Sequence, residues 1–139
     1  MRKRVLTSAI SFILICSLFT SLALAATLRA SEYISSYNAV IYSSGNEITV
    51  DCSITGTGRM KTLGIKSVKI YSSNGTNVAT YSYTADGYEY LMGSDTGRKT
   101  ASVTYTGTSG KSYYAVVVFY ASDGSGGDSR SYTTKTITV

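Results

Sequence analysis

The composition and charge of this chain exclude several classes of function. It has 139 residues, thirteen tyrosines, no histidine and a net charge of +5. Without histidine it lacks the commonest general base, the commonest metal ligand and the usual partner of a nucleophilic serine or cysteine, so we expect no enzyme. Three basic residues belong to the export signal described next, and the ten that remain against eight acidic residues leave a charge of only +2. We therefore expect no nucleic-acid partner, because domains of that kind carry a clustered, strongly basic face.

The first 25 residues have the order of charge and hydrophobicity of a secretory signal peptide. A cationic tip at residues 2–4 precedes an apolar stretch through Leu24, which ends on Ala-Leu-Ala at residues 23–25. Small residues at the third and first positions before the cut fit signal peptidase, so we expect cleavage after Ala25 and a secreted, extracellular product. The alternative is an uncleaved membrane anchor, since about 20 apolar residues are enough to cross a bilayer.

Removing 25 of the 139 residues leaves 114, a length at which one domain buries its own core. Cys16 leaves with the signal, so the mature chain keeps only Cys52 and forms no internal disulfide. We expect residues 26–36 to be a lead-in segment and residues 37–139 to be one β-sandwich. We also expect this domain to be a monomer without a membrane span or a cofactor.

Apolar and polar residues alternate with period two along the mature chain, which is the pattern of half-buried strands. In residues 47–54 the side chains of Ile48, Val50, Cys52 and Ile54 share one face. The residues 112–121 are apolar on both faces, which predicts a strand in the middle of a sheet. The predicted strands are residues 37–43, 47–54, 65–71, 78–83, 99–105, 112–121 and 131–139.

The segment 84–98 contains three glycines and no lasting period, so it is predicted to be a long loop with at most a short strand at residues 88–91. Turn residues at 44–46 and 74–75 separate the neighbouring strands. About seven strands with turn signals over roughly 100 residues indicate an all-β, immunoglobulin-like sandwich.

The segment Gly110-Lys111-Ser112-Tyr113, followed by Ala-Val-Val-Val at residues 115–118, resembles the penultimate strand of a fibronectin type III domain. In such sandwiches a tyrosine at this position holds the preceding corner through its hydroxyl group, so the resemblance implies a structural tyrosine corner at Tyr113. Residues 123–133 are similar to the last hairpin of that family.

A second resemblance runs over the whole mature chain. Arg29-Ala30-Ser31, the Gly-x-Gly-x-Met of residues 56–60 and the Tyr-Tyr-Ala-Val-Val of residues 113–117 are similar to a group of small secreted proteins of Gram-positive anaerobic bacteria. This resemblance implies export and a bacterial source, and it implies no particular activity.

Three candidates for chemistry have simpler structural interpretations. Cys52 lies on the apolar face of its strand, which favours a buried core thiol over a nucleophile. Asp86, Glu89 and Asp95 are the acidic cluster from which the catalytic pair of a paired-carboxylate hydrolase would come, but a solvated loop is the favoured interpretation. Residues 123–128 resemble an oxygen-rich calcium loop without its terminal bidentate glutamate, so a flexible turn is favoured. We expect no catalytic residue and no bound metal.

The tyrosines are the one compositional excess, and they suit recognition as well as packing. Tyr88, Tyr90, Leu91 and Met92 are the candidate ligand contacts, because they lie in the irregular segment 84–98. The alternative for Tyr88 and Tyr90 is that they fold back over an open sheet edge.

Three functions are compatible with this sequence. The first is a secreted, non-enzymatic immunoglobulin-like module that binds an unknown protein or cell-surface ligand through the segment 84–98. The second is a carbohydrate-binding module with tyrosine platforms for a surface glycan. The third is a structural or assembly subunit that pairs through an edge strand such as residues 131–139.

Overall fold

The computed structural model describes residues 31–139, so the predicted signal peptide and residues 26–30 of the lead-in lie outside the described residues. Residues 31–139 contain no α-helix, and hence no helix that is long and apolar enough to span a membrane. The strands are β1 (Ile34–Ser44), β2 (Glu47–Ser72), β3 (Asn77–Ser82), β4 (Met92–Thr106), β5 (Ser112–Ser122), β6 (Gly127–Thr133) and β7 (Ile137–Thr138). All of their pairings are antiparallel.

Strand β2 organises the fold because it is 26 residues long and belongs to both halves of the sheet. Its first part, residues 47–56, lies between β1 and the end of β4. Its second part, residues 62–72, pairs with β5 on one side and with β3 and the start of β4 on the other. Strands β6 and β7 follow along the other edge of β5. One continuous sheet therefore folds over on itself at β2 into a two-layered sandwich, which confirms the predicted all-β sandwich of about seven strands.

The bend in β2 corrects the prediction of two separate strands at residues 47–54 and 65–71. Four residues of β2, numbers 56–59, lie opposite the single residue Gly97 of β4, so the strand bends without losing its partner. A Cβ atom at Gly56 would lie 2.8 Å from the carbonyl oxygen of Gly58 and 2.9 Å from Cγ of Met60, so the bend requires glycine at position 56. The glycines therefore mark a bend within one strand and not its end.

The core lies between the two layers and is built from alternate residues of the strands. On β2 the predicted inward face is confirmed, since Ile48, Val50, Cys52 and Ile54 are all buried. On β5 the inward face consists of Tyr113, Ala115, Val117, Phe119 and Ala121, and the opposite face is half-buried. Each large aliphatic side chain in such a core contributes about 1.5–3 kcal/mol through burial.

The prediction that residues 84–98 form a loop is wrong for residues 92–98. Residues 92–98 already belong to β4, and residues 89–91 form a single 3₁₀ turn in place of the short strand. Gly93 and Gly97 interrupt the side-chain alternation, although the backbone still pairs with β2. The loop between β3 and this 3₁₀ turn is correspondingly short.

The predicted last strand, residues 131–139, is also wrong, because the structure divides it into β6 and β7. Thr134 lies at the interruption and turns inward. Its hydroxyl accepts a hydrogen bond from the N–H of Ala115 at 2.9 Å, and its own N–H donates to the carbonyl of Ala115 at 2.9 Å. The threonine hydroxyl thus takes the place of a backbone carbonyl as the acceptor of one hydrogen bond between the strands. A period-two pattern of side chains does not reveal this substitution.

Tyr113 makes the contact that the fibronectin type III resemblance implies. Its hydroxyl accepts a hydrogen bond from the N–H of Thr108 at 2.9 Å, across the corner between β4 and β5. The hydrogen bond to Thr108 holds the pKa of the Tyr113 hydroxyl below its ordinary value. The ring packs edge-on against Tyr105 with 5.9 Å between the centroids, so the residue ties the corner to the core.

Candidate functional site

A concavity lined by three aromatic rings lies beside the outer edge of β4, and we call it the tyrosine cleft. Its volume is about 430 Å³, and its lining combines three aromatic rings with a carboxylate and two hydroxyl groups. A second concavity, of about 460 Å³ between the turns at residues 72–74 and 109–112, is lined by small polar residues and a lysine and has no ring to hold a ligand. The tyrosine cleft is lined by Tyr81, Asp86, Gly87, Tyr88, Tyr90, Ser102, Val103 and Thr104.

The segment that carries Tyr88 and Tyr90 is anchored to the core through Leu91. This side chain is completely buried, and its N–H donates to the carbonyl of Tyr88 at 3.0 Å to close the 3₁₀ turn. Strand β2 approaches the same point at Gly64, where a Cβ atom would overlap the carbonyl oxygen of Leu91 and lie 2.8 Å from Cα of Met92. The tyrosines are therefore carried by a turn that is tightly packed on β2.

The three rings form a connected cluster. The centroids of Tyr81 and Tyr88 are 5.2 Å apart, and those of Tyr88 and Tyr90 are 6.1 Å apart, with tilted planes in both pairs. These are favourable distances for aromatic pairs. Tyr88 is half-buried in the middle, whereas Tyr90 is 45% exposed at the rim.

Two of the hydroxyl groups cap the free edge of β4. The hydroxyl of Tyr81 donates to the carbonyl of Thr104 at 2.6 Å, and that of Tyr90 donates to the carbonyl of Ser102 at 2.9 Å. This is the alternative that the sequence left open, in which the irregular segment folds back over an open sheet edge. The contacts hold the rings in place and remove the acceptors that another strand would need.

The structure places the four predicted contact residues in different environments. Tyr88 and Tyr90 line the cleft, but Leu91 is wholly buried, so the prediction that it contacts a ligand is wrong. Met92 is half-buried at the start of β4 and does not line the cleft. Sequence reasoning missed Tyr81, Ser102 and Thr104, because they lie on two strands that only the folded chain brings together.

Burial raises the pKa of the hydroxyls of Tyr81 and Tyr90 above the ordinary value of 10.0, and the neighbouring Tyr88 adds to the effect. Both groups therefore remain protonated donors at neutral pH. Asp86 is exposed at the rim, and Glu89 and Asp95 are exposed outside the cleft. Among residues 31–139 there is no group of three or more acidic or cysteine side chains that could hold a metal ion.

Cys52 is a buried free thiol, as its position on the apolar face predicts. Desolvation, with a contribution from the neighbouring Asp51, raises its pKa to about 12. The thiolate is the nucleophilic form of cysteine, so this side chain is inert at neutral pH.

The loop at residues 123–128 uses its first carboxylate to order its own backbone. Asp123 accepts hydrogen bonds from the N–H groups of Ser125 at 2.8 Å and Gly126 at 3.0 Å, and these bonds lower the pKa of its carboxyl group. Asp128 is paired with Arg130 at 2.8 Å. Both carboxylates thus have partners within the hairpin, and the bonds to Asp123 are those of an Asx turn.

No family model, no curated protein and no solved structure matches this chain.

Proposed function

We propose that this chain is an exported, non-enzymatic β-sandwich module that binds a protein or cell-surface ligand through the tyrosine cleft. The observation that carries the proposal is the cluster of Tyr81, Tyr88 and Tyr90 around a concavity of about 430 Å³. Tyrosine rings bury a large apolar area and keep a polar end, and this combination is enriched at protein recognition surfaces.

The rigidity of the cluster supports this role. The hydroxyls of Tyr81 and Tyr90 are held by carbonyl groups of β4, and Leu91 anchors the turn between the rings and the core. Ordering a mobile side chain on binding costs about 0.5–1.5 kcal/mol, and this cost is small where the rings are already fixed. The exposed face of Tyr90 is therefore pre-arranged to pack against a flat or apolar group.

The polar groups of the cleft define the rest of the ligand's chemistry. In an antiparallel strand the N–H and C=O of one residue point to the same side, so the N–H groups of Ser102 and Thr104 face the cleft together with their capped carbonyls. They offer two donors to ligand oxygen atoms, and Asp86 offers a carboxylate acceptor at the rim. A protein segment with an apolar side chain and free carbonyl groups satisfies this pattern.

A surface glycan is the second candidate, and the position of Asp86 favours it. A carboxylate beside an exposed tyrosine ring lets a sugar place its C–H face on the ring and its hydroxyls on the carboxylate. The absence of tryptophan from the whole chain counts against this candidate, because the larger ring makes the stronger platform.

The test compares two tyrosines that are equally exposed, since Tyr90 and Tyr42 are both 45% exposed but only Tyr90 lies in the cleft. The labelled protein is applied to an array of immobilised glycans and to a surface-protein extract of the producing cells. Loss of a central aromatic contact costs about 2 kcal/mol, so Tyr90→Ala should weaken binding by about 30-fold and Tyr42→Ala should not.

A photo-crosslinking phenylalanine analogue at each position identifies the ligand class. Crosslinks from position 90 to one protein support the first candidate, and binding confined to glycan spots supports the second. Equal losses in the two alanine variants, or no binding on either surface, would contradict the proposal.

A further inference from the structure

Four outer edges of the sheet lie among the described residues, and three of them are blocked. The edge of β4 is capped by tyrosine hydroxyls. Strand β3 has only six residues and so offers only a short edge. Strand β6 carries the ion pair of Asp128 and Arg130, and the chain leaves the ladder at Thr134 before β7. Short strands, charges and covered backbone groups are the usual means of keeping a sheet edge from pairing.

The fourth edge, that of β1, is neither short nor charged, and no described side chain hydrogen-bonds to its outward backbone groups. Tyr132, Thr134 and Lys135 line a concavity of about 280 Å³ beside residues 38–41 of this strand. The strand is eleven residues long and contains no charged residue, proline or glycine. It pairs only with β2, at one end of the strand order. A long, uncharged edge of this kind is a template for pairing with another strand.

The backbone groups that β1 presents outward follow from its hairpin with β2. The hairpin has a two-residue connection, so its closing pair, Ser44 and Glu47, is hydrogen-bonded, and bonded and non-bonded pairs then alternate. The backbone groups that hydrogen-bond to β2 are therefore those of Ser44, Tyr42 and Val40. The N–H and C=O groups of Ser43, Ile41 and Ala39 point away from it.

The opposite side of β2 leads to the same alternation. The carbonyls of Ser102 and Thr104 point outward to the tyrosine hydroxyls, so Val103 and Tyr105 are the residues of β4 that bond to β2. The backbone N–H and C=O groups of their partners, Val50 and Ile48, therefore point toward β4. The backbone groups of the alternate residues of β2 point toward β1.

The outer face of β1 is unusually apolar for a free edge. Val40 is 47% exposed and Tyr42 is 45% exposed, and they are two of the three large exposed hydrophobic residues among residues 31–139. Both lie beside the unpaired edge, where a neighbouring strand would cover them laterally.

We propose that two copies of this chain pair antiparallel through β1, with the two-fold axis at Ile41, to form a six-stranded layer in the order β4-β2-β1-β1-β2-β4. Ile41 then lies opposite Ile41, and Val40 lies opposite Tyr42 in both halves. The outward-pointing residues 39, 41 and 43 supply the hydrogen bonds. Val40 and Tyr42 form the non-bonded pairs, in which side chains approach more closely.

The register with its axis at Ile41 is preferred to the register with its axis at Val40, because it pairs an aromatic ring with a β-branched side chain twice. Such cross-strand pairs are favourable by about 0.2–1 kcal/mol each in sheets, which is a factor of up to about five in affinity per pair. Moving the axis to Val40 would place Tyr42 opposite Asn38 and lose both contacts. No charged side chain lies on β1, so no like charges meet across the axis.

The size of the contact sets its strength. Seven paired residues, numbers 38–44, extend about 24 Å along the strand and one layer is about 10 Å deep, so the buried area is a few hundred Å² per copy. Stable dimers bury about 800 Å² per partner. The dimer is therefore weak and forms at high protein concentration, which replaces the monomer expected from sequence with a reversible equilibrium.

Sedimentation velocity over a wide concentration range tests the pairing. The double variant Val40→Lys/Tyr42→Lys places like charges directly opposite each other in both cross-strand pairs, and we expect its dissociation constant to rise by about tenfold or more. The matched control is Ser129→Lys/Ser131→Lys, which adds the same charge at the same spacing on exposed positions of β6 and should dimerise like the unaltered protein. Circular dichroism verifies that each variant keeps its sheet.

A disulfide test fixes the register without weakening the interface. A mixture of the single variants Val40→Cys and Tyr42→Cys should form a crosslinked dimer on mild oxidation, and each variant alone should do so far less. The native Cys52 does not compete, because it is buried and its pKa is raised to about 12.

The proposal is overturned if the protein sediments as a monomer at every concentration, or if lysines on β6 abolish the dimer and lysines on β1 do not. A crosslink that forms as readily with Val40→Cys alone contradicts the register. A concentration-dependent dimer with the mixed crosslink supports it.

Discussion

Replacing Gly64 with alanine tests whether β2 supports the turn that forms the tyrosine cleft. A Cβ atom at this position would overlap the carbonyl oxygen of Leu91, and it would lie 2.8 Å from Cα of Met92 and 3.0 Å from its Sδ. Two of these three atoms are backbone, so no flexible side chain can move aside to make room. The turn must shift away from β2 or the strand must bend.

Overpacking of this kind costs about 1–3 kcal/mol. For a domain of about 110 residues each kcal/mol lowers Tm by roughly 4 °C, so we expect Gly64→Ala to lower Tm by about 4–12 °C. The matched control is Gly58→Ala in the same strand, because a Cβ atom at Gly58 meets nothing within 4 Å. There the loss of chain entropy in the unfolded state should leave stability unchanged or raise it by up to about 1 kcal/mol.

Thermal and urea denaturation measure both variants. Binding at the tyrosine cleft should also weaken in Gly64→Ala, since a displaced Leu91 moves the neighbouring Tyr90 from its bond to Ser102. Unchanged stability of Gly64→Ala, or an equal loss in Gly58→Ala, would refute the close contact between β2 and the turn.

Three further predictions follow from single residues. Tyr113→Phe leaves the N–H of Thr108 without its acceptor, so Tm should fall by about 4 °C or more, whereas Tyr105→Phe, which removes a hydroxyl with no hydrogen bond among the described residues, should have little effect. Cys52 should react with a thiol reagent at pH 8 only when urea unfolds the protein, because its pKa is raised to about 12 in the fold; rapid labelling of the native protein would show that it is accessible. The folded-state pKa of Asp123 is lowered below its ordinary value of 3.8, so its stabilising effect is present above that value and is lost as the pH falls through the folded-state pKa. The stability difference between the unaltered protein and Asp123→Ala should accordingly shrink on acidification in urea titrations, and a pH-independent difference would contradict the assignment.

The inward faces of the strands could be read directly from the sequence. Ile48, Val50 and Ile54 on β2 and Val117 and Phe119 on β5 alternate with polar or half-buried neighbours, and all of them are buried. Period two arises because successive side chains of one strand point to opposite faces, so the pattern needs no knowledge of the strand's partners. The buried state of Cys52 follows from the same alternation.

The course of β2 and β4 could not be read in this way. Glycines at positions 56, 58, 93 and 97 remove the side chains that carry the pattern, so the pattern predicts two strands in place of one bent strand and a loop in place of the start of β4. What keeps the chain extended there is backbone pairing between residues more than thirty positions apart, such as Met60 and Thr96. Pairing of this kind leaves no mark on local composition.

Two of the three rings of the candidate site could be predicted from the sequence. Tyr88 and Tyr90 stood out because they are aromatic residues in an irregular segment, but nothing local distinguished the buried Leu91 from them. Tyr81 and Ser102 join the cleft only because β3 and β4 lie on the same side of β2.

Local alternation of side chains established which residues enter a core, and the absence of histidine limited the chemistry available to the whole chain. Folding in three dimensions settled which strand edges are covered and which remain open. Tyr81 and Tyr90 cap β4 from distant positions, whereas no described residue caps β1 in the same way. The physical reason is that burial is set by each strand's own pattern of side chains, but an edge is satisfied only by backbone groups and hydroxyls that arrive from elsewhere in the chain.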